Sequence, residues 1–231
     1  MKTLVLTLAF AAAALIASAQ AQPAAAPAAA PADAYTTMMA ATITDLLNTG
    51  DPVALKAVAA RLERAASVAP ADWLPRYYQA YALVIAVFTS KEDGDAKDNT
   101  LDQAETALGQ ARQLHGDASE LLALQAYAYQ ARLGISPMTR SQKYSELVGE
   151  AVAQAQVLNP ANPRPYLIEA NNVYFTPRMF GGGAEAARPL FEKAQAQFAA
   201  FVPAGPLAPN WGQRQLQARL KSCQVPATAA K

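Results

Sequence analysis

The chain has 231 residues, 52% of them apolar, with 16 prolines, 11 glycines and a formal charge of +1. Alanine is the commonest apolar type, and alanine-rich stretches punctuated by Pro and Gly predict helices that approach one another closely. That composition excludes a coiled coil, a collagen-like rod and a wholly disordered chain, and it argues against an all-β sandwich.

The N-terminus reads as a targeting segment. Lys2 is the only charge ahead of Asp33, and residues 4–16 form an apolar run too short to span a bilayer comfortably. Ala17-Ser18-Ala19 and Ala19-Gln20-Ala21 offer two cleavage sites, and no Cys stands there to take a lipid. The expected domains are a signal peptide at 1–21, a Pro/Ala linker at 22–34, a helical-repeat domain at 35–222 and a flexible tail at 223–231. Pro23, Pro27 and Pro31 block a continuous helix through the linker. The mature protein is expected in the periplasm or secreted, with no membrane span and no lipid anchor.

From Tyr35 onward the pattern is helix, turn, helix. A short helix is predicted over 35–48. Asp51-Pro52 then supplies an N-cap with Pro at the first helical position, opening a helix to about Val68. Asp72 opens the next, through Trp73, Tyr77, Tyr81 and Phe88, and residues 91–99 read as an acidic loop. Leu101, Ala104, Leu108, Ala111 and Leu114 recur on one helical face. Gly116 stops that helix and Asp117 caps another that runs to Leu133. Helices over 141–158, 165–175, 184–201 and 211–221 complete the chain. No segment alternates with period two for long enough to make a sheet, so the fold class is all-α.

Ala104, Leu108 and Ala111 fit small, x3, large, x2, small, and so do Ala187, Phe191 and Ala194. This resembles the second helix of a tetratricopeptide repeat. Ala155, Leu158 and Pro160 resemble the ending of such a helix, while Leu122, Ala126, Tyr129 and Tyr166, Ala170, Val173 resemble first helices. The resemblance implies an antiparallel helix-pair solenoid of three to four degenerate repeats. About ten residues around 135–144 and five around 176–182 depart from the repeat. A narrower resemblance rests on Asn159-Pro160-Ala161-Asn162-Pro163-Arg164, Phe180-Gly181-Gly182-Gly183 and Pro209-Asn210-Trp211-Gly212. These motifs are similar to a family of exported Gram-negative repeat proteins with no assigned activity. The glycine turn also faintly resembles a repeat protein that accompanies certain periplasmic solute transporters.

Chemistry-bearing motifs are few. Gly181–Gly183 precede a helix but continue Ala-Glu-Ala instead of Gly-Lys-Ser/Thr, so a tight turn with Phe180 tucked onto the helix pair is expected in place of an anion cradle. The run from Glu92 to Asp98 lacks calcium-loop spacing, because Lys97 occupies the third ligand place. Glu146 and Glu150 share a helix face and read as solvated. His115 and Cys223 are the only residues of their kinds, which leaves too few ligands for a zinc site. Cys223 is expected to be inert or capped, with an intermolecular bridge, and thus a homo-oligomer, left open. Residues 203–231 carry Arg214, Arg219, Lys221 and Lys231 with no acid, which is too thin a basic patch for nucleic acid. No catalytic residue, cofactor or metal is assigned, and the protein is read as not an enzyme.

The expected function is an exported scaffold that holds a protein or peptide partner in a groove formed by residues 73–88, 119–133 and 165–175. Arg76, Tyr78, Asn171, Asn172 and Arg178 are the candidate groove residues, the paired amides serving to clamp an extended backbone. The alternative is a small-solute binder or accessory of a periplasmic uptake system, with Phe180 and segment 135–144 closing over the solute.

Overall fold

The computed structural model describes residues 33–224; the signal-peptide and linker expectations, and most of the tail, lie outside them. Among the described residues nine helices follow in order: α1 (Ala34–Asn48), α2 (Pro52–Val68), α3 (Leu74–Thr89), α4 (Gly94–Gln113), α5 (Ala118–Ile135), α6 (Pro137–Leu158), α7 (Pro163–Phe175), α8 (Ala184–Ala200) and α9 (Gln213–Gln224). A single 3-10 turn, Arg178–Phe180, lies between α7 and α8, and no strand occurs among the described residues. None of these helices is long and apolar enough to cross a membrane.

Short polar side chains set the helix starts. Asp33, Asp51, Asp93, Asp117 and Asn162 each accept a backbone N–H from the first turn of the following helix, which satisfies donors that the helix itself leaves unpaired. Asp93 therefore corrects the expected acidic loop: it caps α4, and residues 94–99 are already helical. Asp98 sits between Arg132 and Arg140, at 2.8 and 2.6 Å, and is held below the usual carboxylate range chiefly by its hydrogen bond with Arg140. Segment 135–144 is no spacer either. Only Ser136 separates α5 from α6, whose first turns it forms from Pro137 onward.

Consecutive helices pack against each other, and α1, α3, α5 and α7 also touch in turn, so the odd-numbered helices form one layer and the even-numbered helices cover it. Alanine makes this possible. Ala104, Ala107 and Ala111 of α4, and Ala123, Ala126 and Ala131 of α5, are all buried, so the helix backbones come close where larger side chains would hold them apart. Leu108 and Phe191 occupy the large positions between the small ones and are fully buried, each contributing roughly 1.5–3 kcal/mol by leaving water. Leu158 departs from that pattern: at 57% exposure it lies outside the core.

The core has two parts. One runs from α1 to α6 and takes in Ile168 and Trp211; the other joins α7, α8 and α9 through Tyr166, Leu167, Phe191, Phe198 and Leu216. Cys223, expected at the start of a flexible tail, is in α9 and buried in this second cluster, where desolvation pushes its thiol up. Gly181 and Gly183 adopt positive φ, and the amides of Gly181, Gly182 and Gly183 donate to the carbonyls of Arg178, Pro177 and Val173. The turn thus spends its amides on its own backbone. Phe180 is 71% exposed and not tucked onto the helix pair, because the 3-10 turn points it outward.

Candidate functional site

The odd-numbered layer is where the expected groove falls, and the chain's own C-terminal segment lies across it. Residues 201–212 cross from the end of α8 to α9 as a strap without regular structure. Trp211 inserts between aromatic rings, stacked 4.7 Å from Tyr81 and 5.5 Å from Tyr127, and its indole N–H donates to the Tyr77 hydroxyl at 2.7 Å. Gly212 has φ +107, and a Cβ there would press on Phe198 and Leu167. Only glycine fits that approach. The Pro-Asn-Trp-Gly motif is therefore the buckle of the strap.

A buried ion pair anchors it. Arg164, with 0% exposure, donates to Glu120 at 2.7 Å and also to the carbonyl of Pro209. Its guanidinium faces the rings of Phe201 and Trp211 at 4.9 and 5.5 Å. Glu120 accepts a second hydrogen bond from Tyr77 at 2.9 Å, and desolvation pushes its carboxyl up to about 7 against the downward pull of Arg164 and Tyr77. Asn162 caps α7 and donates to Ser119, which in turn donates to the Ala155 carbonyl. The Asn-Pro-x-Asn-Pro-Arg motif thus joins α5, α6, α7 and the strap through one polar network.

Beyond the buckle the strap leaves an opening. A cavity of about 490 Å³ lies between α3, α5, the start of α6, α7 and α9, walled by Phe88, Tyr127, Leu133, Pro137 and Phe175. Its size is that of a small-molecule site, and its lining is mostly apolar with a few polar groups. Phe88 and Tyr127 lie 4.8 Å apart, and Tyr127 continues the stack through Trp211 to Tyr81. Gln215 donates to the Tyr127 hydroxyl at 2.9 Å, and burial pushes that phenol up to about 12. Gln130 donates to the Ile168 carbonyl at 2.7 Å. Asn171 is 2% exposed, yet both its amide nitrogen and its amide oxygen lack partners. Arg219 reaches the same lining with its guanidinium 4.6 Å from the Phe175 ring centre and 5.1 Å from Tyr174.

The five residues singled out from sequence are dispersed. Asn171 and Asn172 both line the cavity. Tyr78 is buried in the core and donates to the Leu207 carbonyl, so it holds the strap from beneath instead of facing a groove. Arg76 bonds Gln79 of its own helix at 2.9 Å. Arg178 is exposed in the α7–α8 turn, paired with Glu185 at 2.9 Å. Neither arginine lines the cavity. Glu146 and Glu150 are exposed on α6. Phe88, Phe175, Gln215 and Arg219 were not singled out. The acid-free C-terminal charge was the available signal for Arg219, and nothing local marked Gln215.

No family model and no curated protein matches this sequence. Among solved structures, the HusA haemophore from Porphyromonas gingivalis matches with 34% identity and a TM-score of 0.73, over 83% of this chain and 93% of that one. The fold is thus that of an all-helical binding protein already seen in another chain. This chain belongs to the same family as that haemophore.

Proposed function

We propose that this protein is an exported, non-catalytic carrier that binds haem or a related tetrapyrrole in the cavity between α5, α7 and α9. The observation that carries the reading is the open cavity walled by Phe88, Tyr127 and Phe175 in a chain of a haemophore's family. A flat apolar macrocycle gains from burial against aromatic faces, which prefer offset stacking. Packing of alternate helices supports a tetratricopeptide-like reading of the scaffold, and the apolar run at 4–16 supports export. This favours uptake of a small ligand over capture of an extended peptide, since the strap covers the face that a peptide would need.

The cavity lining includes no His, Cys or Met. Tyr127 is held as a neutral phenol by burial, and Gln215 already donates to its oxygen. Recognition therefore rests on the ring system and its edge more than on the metal it carries. The test is titration of the protein with iron protoporphyrin IX and with metal-free protoporphyrin IX, read by ligand absorbance and by quenching of tryptophan fluorescence. Saturable one-to-one binding of both, within a few-fold of each other, is expected, and Tyr127→Ala weakens both. Absence of saturable binding by either ligand overturns the reading.

A further inference from the structure

The polar end of the same cavity carries information that its apolar walls do not. Asn171 presents an amide donor and an amide acceptor with no partner in the protein, although the residue is 98% buried, from its 2% exposure. Buried polar groups in folded proteins are nearly always paired, and leaving one unpaired costs free energy. Hydrogen bonds within the fold therefore do not account for this side chain. The residue belongs to the cavity wall, next to the space a ligand would fill.

Arg219 supplies the second observation. It is the only charged residue in the lining, and among the described residues no acid lies within ion-pair distance of it. Its Nε is buried without a partner, while its guanidinium carbon lies over the rings of Phe175 and Tyr174 at 4.6 and 5.1 Å from their centres. A planar fork of N–H donors held beside an apolar slot is suited to carboxylate, and charge-assisted bonds of this type are about twice as strong as neutral ones. Asn172, Gln130 and Gln215 are the other polar residues of the lining with side-chain amides, and none of them is acidic. The lining thus holds one cation and no acid among neutral amides and apolar walls.

We infer that Asn171 and Arg219 together form a carboxylate-reading end of the cavity, so that the cargo is a planar apolar acid inserted with its acid edge toward α7 and α9. This rests on the tetrapyrrole reading of the cavity and adds to it which edge enters and which chemical group is read. Arg219 supplies the charge. Asn171 supplies a neutral donor to the same carboxylate, with its carbonyl available to a protonated acid or to a water carried in with the ligand.

The test compares protoporphyrin IX with its dimethyl ester, both in the same detergent, against the wild-type protein and three variants. Wild type binds the free acid at least about ten-fold more tightly than the ester. Arg219→Gln and Asn171→Leu each lower affinity for the acid by about ten-fold and leave the ester unchanged, so that the preference disappears. Arg219→Lys retains part of the preference, because it keeps the charge but not the fork. Far-UV circular dichroism and melting of each variant separate loss of recognition from loss of fold. Equal affinity of wild type for acid and ester overturns the inference while leaving the tetrapyrrole reading intact. If neither ligand binds, the tetrapyrrole reading falls and this inference falls with it.

Discussion

The strap and the cavity lie against the same layer of helices, and they treat buried polarity in opposite ways. Under the strap, Glu120, Tyr77, Asn162, Ser119 and the Trp211 indole all have partners, and of the Arg164 nitrogens only Nε lacks one. In the cavity, Asn171 has neither of its bonds, and Arg219 has no counter-charge among the described residues. One region uses polar groups to hold the chain to itself. The other holds polar groups ready for something that is not the chain. The difference separates a structural network from a receiving one more clearly than burial does, because both regions are buried.

The contrast is easiest to break at Arg164. Arg164→Leu leaves Glu120 buried without its ion-pair partner, and losing one partner of such a pair costs about 3–5 kcal/mol. Denaturant unfolding should report a loss of that size, and limited proteolysis should cut the strap between α8 and α9. An unchanged unfolding midpoint would show that the strap does not depend on this pair.

The pair also gives stability a pH dependence whose sign can be worked out. Burial lifts Glu120 from an ordinary value near 4.5 to about 7, so across that window the folded chain binds more protons than the unfolded chain. The contribution of Glu120 to stability is therefore largest below about pH 4.5 and is lost as pH rises through about 7. Glu120→Gln should flatten this part of the profile, as measured by unfolding free energy at half-unit steps of pH. A slope that survives the substitution belongs to another group.

Asn171→Leu should act in the reverse sense to Arg164→Leu. Removing an unpartnered buried amide in favour of an apolar side chain of similar size should raise stability, by about 1 kcal/mol, while weakening ligand binding. Thermal melting without ligand checks the first half. A fall in melting temperature would mean that the amide is paired in solution, by water or otherwise. The smallest effect is expected at Arg178. Its pair with Glu185 is exposed on both sides, so Arg178→Ala should change neither melting nor ligand affinity measurably.

Local chemistry explains why the helices were legible in sequence. Asp51-Pro52 and Asp117 announce their helices with a capping side chain or an N-terminal proline, and the structure places caps at those residues, whereas α7 starts at Pro163 behind the Asn162 cap, ahead of the expected 165. Asp93 was harder to read, because acids clustered in one short run suggest a loop until one of them is seen to cap. The strap was not legible. Residues 201–212 have no period, and the partners of Trp211, Pro209 and Leu207 lie on α3 and α7, far away in sequence. In the candidate site, Asn171 and Asn172 stood out as paired amides in an apolar helix. Arg219 and Gln215 looked like the solvated face of a short polar helix, and only the docking of α9 on α5 and α7 brings them to the cavity.

Trp211 reaches Tyr77 across 134 positions of sequence, whereas contacts between neighbouring helices close far shorter loops. Local pairings form quickly and distant ones slowly, because chain entropy is lost before the contact repays it. The helix pairs therefore have the means to assemble in sequence order, while the bond between Trp211 and Tyr77 waits for the helices between them. On a chain emerging N-terminus first, the aromatic floor of α3 and α5 stays uncovered until position 211 arrives. The arrival of Trp211 is then also the step that converts an exposed aromatic surface into a closed interior.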